Sequence, residues 1–135
     1  MPTVNIQIIA GQEMTLMVHT IREILRKENN LEENSTITNG YVLNSTIRFL
    51  SNDVVDFADV NYWENINKES IDELLSGNVN ESGQTMKFRV ASLSDEKIKE
   101  LSQMLSETFG SRIRKNYIVK LILKSYIIER NKICK

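Results

Sequence analysis

Two short segments of this chain carry hydrogen-bonding side chains at every second position. Near the start, Thr3, Asn5 and Gln7 alternate with Val4, Ile6 and Ile8; far downstream, Lys87, Arg89 and Ala91 alternate with Met86, Phe88 and Val90. A period of two is that of a β-strand buried on one face. Each segment therefore turns its apolar residues inward and shows the others. The first offers a hydroxyl and two amides, donors and acceptors together, while the second offers cations, which only donate, and the methyl of Ala91. That is equipment for recognising a patterned polar surface. The ordinary alternative is a strand face that is polar because it is wet.

Bond-breaking chemistry has little to work with. The chain has one histidine, His19, and one cysteine, Cys134, which excludes an internal disulfide, a cysteine metal cluster and paired histidines, and no serine-histidine-acid set can be read around that one histidine. There is no glycine-rich phosphate loop, and the acidic residues of the middle segment lack the glycine-centred spacing of a calcium loop. Met14, Met17, Met104 and Trp63 read as core packing. An enzyme is not expected, nor is a cofactor or a metal site. No apolar run approaches the ~20 residues of a membrane span, and the N-terminus lacks the basic and apolar regions of a signal peptide. The expected location is the cytoplasm, with no membrane partner.

The net charge of -1 hides an uneven distribution. Residues 1–51 carry four Lys/Arg and five Asp/Glu, residues 52–85 carry one and eight, and residues 86–135 carry twelve and five. The segments thus stand at -1, -7 and +7. Such asymmetry points to a polyanionic partner for the basic part, unless its Lys and Arg merely solvate helix faces.

The elements that would hold the two polar strand faces follow a common pattern. With Val4 set against Phe88, the apolar residues Met14, Met17, Ile21 and Leu25 fall on Ile98, Leu101, Leu105 and Phe109 without a gap. Both rows have the spacing of one helix face. A turn and a second apolar stretch follow in each half, one beginning at Tyr41 and the other at Tyr117, with a longer polar turn in the first half. Ser94, flanked by Leu93 and Ile98, is the expected N-cap of the downstream helix, with a hydrophobic staple. Gly110 suits its left-handed C-cap. Residues 118–128 are apolar nearly all round, which requires burial on several sides. Their β-branched residues leave a strand open as the competing reading, while Lys120 and Lys124, one helical turn apart, favour helix. Between the halves lies an acidic connector. It is expected to hold a helix over residues 68–75 and a true linker over 77–84, and Val54, Val55, Phe57, Tyr62 and Trp63 are too apolar for a loose tether.

The order of strand, helix, polar turn and second apolar helix resembles the ribbon-helix-helix (MetJ/Arc-type) DNA-binding family. The closer stretch is MKFRVASLSDEKIKELSQMLSETFG followed by RIRKNYIVKLILKSYIIE. The likeness covers about 100 of the 135 residues and is one of pattern. Two such stretches in one chain look like the tandem accessory proteins of plasmid conjugation relaxosomes. The departures are the long turn of the first half, Arg114 where a Ser or Thr cap is usual, and the acidic connector. The resemblance implies a mainly α fold in which two ribbon-helix-helix copies form a pseudo-dimer with a two-stranded antiparallel β-ribbon. The expected division is residues 1–51 for the first copy, 52–85 for the connector with a short helix, and 86–135 for the second copy.

In that family the ribbon enters the major groove of duplex DNA. The resemblance therefore implies base contacts from Thr3, Asn5, Gln7, Lys87, Arg89 and Ala91. Asn and Gln suit adenine, Arg and Lys suit guanine, and an alanine methyl suits thymine. Phosphate contacts would come from the starts of the second helices, Thr38, Asn39 and Gly40 in one half and Arg112, Arg114, Lys115 and Asn116 in the other. The implied partner is double-stranded DNA, with room for several protomers on one site, and a relaxase or other protein contacting the connector is a further one. A relaxosome accessory role stands ahead of transcriptional repression. A protein-interaction module of antitoxin or adaptor type, using the acidic and aromatic connector, is the alternative from another class.

Overall fold

A computed structural model describes residues 2–32, 35–75 and 84–133. Strand β1 (Thr3–Ala10) leads into α1 (Gln12–Glu28) and α2 (Asn39–Ser51). Next come α3 (Val60–Lys68) and a 3-10 turn at Asp72–Leu74, then β2 (Gln84–Ala91), α4 (Ser92–Phe109) and α5 (Lys115–Ile133). The two strands pair antiparallel from Thr3 opposite Ala91 to Ala10 opposite Gln84 and make a two-stranded sheet. Ile6, Ile8, Phe88 and Val90 point into the core, and the residues between them point to solvent.

The architecture corrects the expectation of two ribbon-helix-helix copies forming a pseudo-dimer. Among the described residues there are five α-helices and one two-stranded sheet. One continuous core runs through both halves and beyond them. The fifth helix, α3, belongs to neither expected copy, yet Trp63 and Ile66 from it are buried in that same core. The result is a single mainly helical body with a ribbon on its surface. The physical reason is that α3 adds apolar area to the core the halves share: Trp63 is 1 % exposed and stands edge-on to Phe57 and Tyr62.

At the centre lies α5. All residues from Leu121 to Ile128 are buried, and the helix packs against α1, α2, α3, α4 and β1. Its β-branched residues favour strand by local preference, and enclosure on every side overrides that preference. Burial forces the polar members of α5 to find partners. Lys124 donates to the Asn67 carbonyl at 3.2 Å, and Ser125 meets the Tyr62 hydroxyl at 2.6 Å. Desolvation lowers the Lys124 ammonium pKa below its ordinary value. Both contacts tie α3 to the central helix.

Local signals decide the ends of the elements. Asp59 caps α3 through the amide of Tyr62, so the connector helix starts at residue 60 and ends near Lys68, ahead of the span 68–75 expected for it. Ser94 is not an N-cap either: α4 begins at Ser92, and the Ser94 hydroxyl, buried in the first turn, donates to Asn44 Oδ1 at 2.8 Å. Leu93 is 72 % exposed and staples nothing. Gly110 takes the left-handed conformation, with φ 69°, and closes α4. Seven of the eight aligned apolar residues of α1 and α4 are buried, Phe109 being the exposed one. The expected linker over 77–84 lies outside the described residues except for Gln84, as does Cys134. No helix among the described residues is long and apolar enough to cross a membrane.

Candidate nucleic-acid interface

The strand register places the six expected base-contact residues on one face as three facing pairs. Thr3 stands opposite Ala91, Asn5 opposite Arg89, and Gln7 opposite Lys87. All are exposed except Ala91, which is half-buried. Facing side chains on an antiparallel pair sit about 5 Å apart, so each pair forms one rung. Arg89 is braced, since its Nε donates diagonally across the ribbon to Thr3 Oγ1 at 3.2 Å. One strand contributes amides and the other cations. The same face holds a further rung, Ile9 opposite Thr85, with both residues exposed. In the sequence this rung is masked, because Ile8 and Ile9 look like one apolar run. Counting the period of two for one more step would have found it.

Two helix starts flank the ribbon, and they differ. At α2, Gly40 is buried against β2, and a Cβ added there would lie 2.0 Å from the Arg89 carbonyl oxygen. Only glycine allows the helix to come so close. Further along α2, Asn44 Oδ1 accepts from the Ala91 amide at 3.0 Å and from Ser94 Oγ. The polar groups of this start have internal partners: Thr38 Oγ1 accepts from the Tyr41 amide at 3.1 Å, and Asn39 Oδ1 accepts from Arg22. Arg22 also donates to the Ile37 carbonyl at 2.9 Å, and burial, with Arg26 nearby, lowers its guanidinium pKa from the ordinary value. Of the three residues expected to meet phosphate here, Gly40 is therefore not on the surface. Its close approach to β2 is its structural task, while Thr38 and Asn39 have partners within the fold.

The start of α5 is open. Arg112, Arg114, Lys115 and Asn116 are all exposed, and a depression of about 520 Å³ separates them from the Ile9 end of β1. The Arg114 carbonyl accepts from the amides of Tyr117 and Ile118 at the helix start. Lys115 reaches Asp95 Oδ1 at 3.5 Å, and Lys99 holds the other oxygen of this buried carboxylate at 3.0 Å. Lys120, on the wall of the same depression, pairs with Glu13 at 3.3 Å. With Arg112 and Arg114 exposed in front of it, this helix start is an anion-facing surface.

No group of acidic, histidine or cysteine side chains suited to holding a metal ion occurs among the described residues. Comparison of the chain with protein-family models, curated proteins and solved structures yields no match.

Proposed function

We propose that this chain binds duplex DNA sequence-specifically by laying the exposed face of its β-ribbon into the major groove. The observation that carries the reading is the in-register set of rungs Thr3/Ala91, Asn5/Arg89 and Gln7/Lys87 on one wet face. The major groove admits a two-stranded ribbon and presents a distinct donor and acceptor pattern for each base pair. The β1 amides suit adenine edges and the β2 cations suit guanine edges, so the preferred site is not a palindrome. Arg112, Arg114 and Lys115 hold the adjacent backbone from one side. An accessory role at a plasmid transfer origin and repression of a promoter are both uses of such binding. The aromatic residues that made the connector attractive as a protein-docking segment turn inward instead, Trp63 fully and Tyr62 in part.

Selection of bound sequences from a random duplex pool, followed by titration across salt concentrations, tests the proposal. The expected result is an asymmetric consensus and a steep salt dependence. Arg89→Ala weakens the selected site by about 1–3 kcal/mol and relaxes the choice at one base pair. No binding at low salt, or equal losses for Arg89→Ala and Lys115→Ala on every sequence, refutes the reading.

A further inference from the structure

We infer that Ile9, with Thr85 opposite it, forms a fourth reading rung that selects thymine through its 5-methyl group. The inference rests on the ribbon reading above and adds to it the base read at one end of the site.

Ile9 is 69 % exposed, while its chain neighbours Ile8 and Ala10 are 4 % and 0 % exposed. Strand alternation, anchored by those two buried neighbours, aims Ile9 outward. A single exposed aliphatic residue ordinarily needs no explanation. This one lies on the same face as Asn5 and Gln7 and continues their row. Its side chain makes no hydrogen bond, so what it can recognise is apolar. In the major groove the thymine methyl is the apolar group that a base pair displays, and cytosine lacks it. Thr85 adds a methyl and a hydroxyl on the facing strand.

Spacing places the contact. Successive rungs are two residues apart, about 6.8 Å along a strand, and stacked base pairs are about 3.4 Å apart. One rung thus advances about two base pairs. The Ile9 rung lies two rungs from the Asn5/Arg89 pair, hence about four base pairs from the base that Arg89 reads, on the side of Gln7 and Lys87.

The test uses the full chain and the duplex recovered by selection, with each thymine replaced in turn by deoxyuridine, which lacks only the methyl. Wild-type protein is expected to lose affinity about fourfold at one thymine, the equivalent of burying one methyl-sized group, about four base pairs from the Arg89-dependent position. Ile9→Ala is expected to lose a similar factor on the thymine duplex and to become indifferent to the replacement. Arg89→Ala should keep the uridine penalty. If every uridine duplex binds wild type normally, or the penalty survives in Ile9→Ala while Arg89→Ala still impairs binding, this inference fails and the ribbon reading stands. A loss in Ile9→Ala that is equal on all duplexes and accompanied by lower binding cooperativity assigns Ile9 to contact between copies and overturns it. If wild type prefers no sequence, both readings fall. Ile9 is exposed, so its replacement leaves the core intact.

Discussion

The starts of α2 and α5 both lie beside the ribbon, and one is a clamp where the other is a cleft. At α2 a glycine brings the helix onto the Arg89 carbonyl, and Asn44 reaches the end of β2. At α5, Asn116 carries a side chain, and a depression remains between the helix and β1. The closed end has its polar groups engaged inside the fold; the open end keeps arginines exposed. One end thus sets where the ribbon stands, and the other is free to meet a polyanion. Of the twelve Lys and Arg in residues 86–135, Arg112, Arg114 and Lys115 lie at the open end.

The contrast can be broken by measurement. Gly40→Ala should have the largest effect, about 3 kcal/mol of lost stability in chemical denaturation, at the upper end of overpacking penalties because the obstacle is backbone. Truncation at the matching position of the open end, Asn116→Ala, should stay within about 0.5 kcal/mol. Equal losses would show that the open end also has a structural task, carried by the Asn116 side chain that accepts from the Tyr117 amide. Asn44→Ala should cost about 2 kcal/mol, since it removes the acceptor for the Ala91 amide and for the buried Ser94 hydroxyl, and buried groups left unpaired are costly. A neutral result would mean that α2 holds β2 by shape alone. Thr38→Ala should lower the melting point modestly, by loss of a helix cap worth about 1 kcal/mol. The smallest effect on stability belongs to Lys115→Ala, within about 0.5 kcal/mol, yet it should flatten the salt dependence of DNA binding by about one unit. A shift in stability without a change in slope would make Lys115 a partner of Asp95 and nothing more.

Much of this geometry was legible from residue order. Alternation in the two strands told which side chains face solvent, because burial of one sheet face imposes it. The apolar rows of α1 and α4 were equally plain. Reading the repetition as two ribbon-helix-helix copies failed because pattern shows which residues are apolar, not which neighbours will cover them. The halves and α3 close on one core. The start of α3 was missed because Asp59 and its partner Tyr62 lie outside any apolar period, and the acidic run after Lys68, with Ser70 ahead of Asp72 and Glu73, imitates a helix start. Ser94 misled for a related reason: its sequence neighbours are those of a cap, while its hydroxyl bonds to Asn44 fifty residues away. Gly40 gave no signal at all, since close approach of one backbone to another leaves no mark on local sequence.

The central position of α5 has a consequence for how the molecule comes into being. A ribosome delivers residues in order, at some 5–20 per second, and the helix on which the other described helices rest is delivered after all of them. Until Leu121 to Ile128 emerge, Met17, Ile21, Leu43 and Trp63 have no finished wall to settle against, and β1 waits for a mate about eighty positions downstream. Pairings that distant in sequence form slowly. Birth of this protein is therefore expected to be a late, all-at-once event, with several seconds during which its greasy surfaces stand open to chaperones.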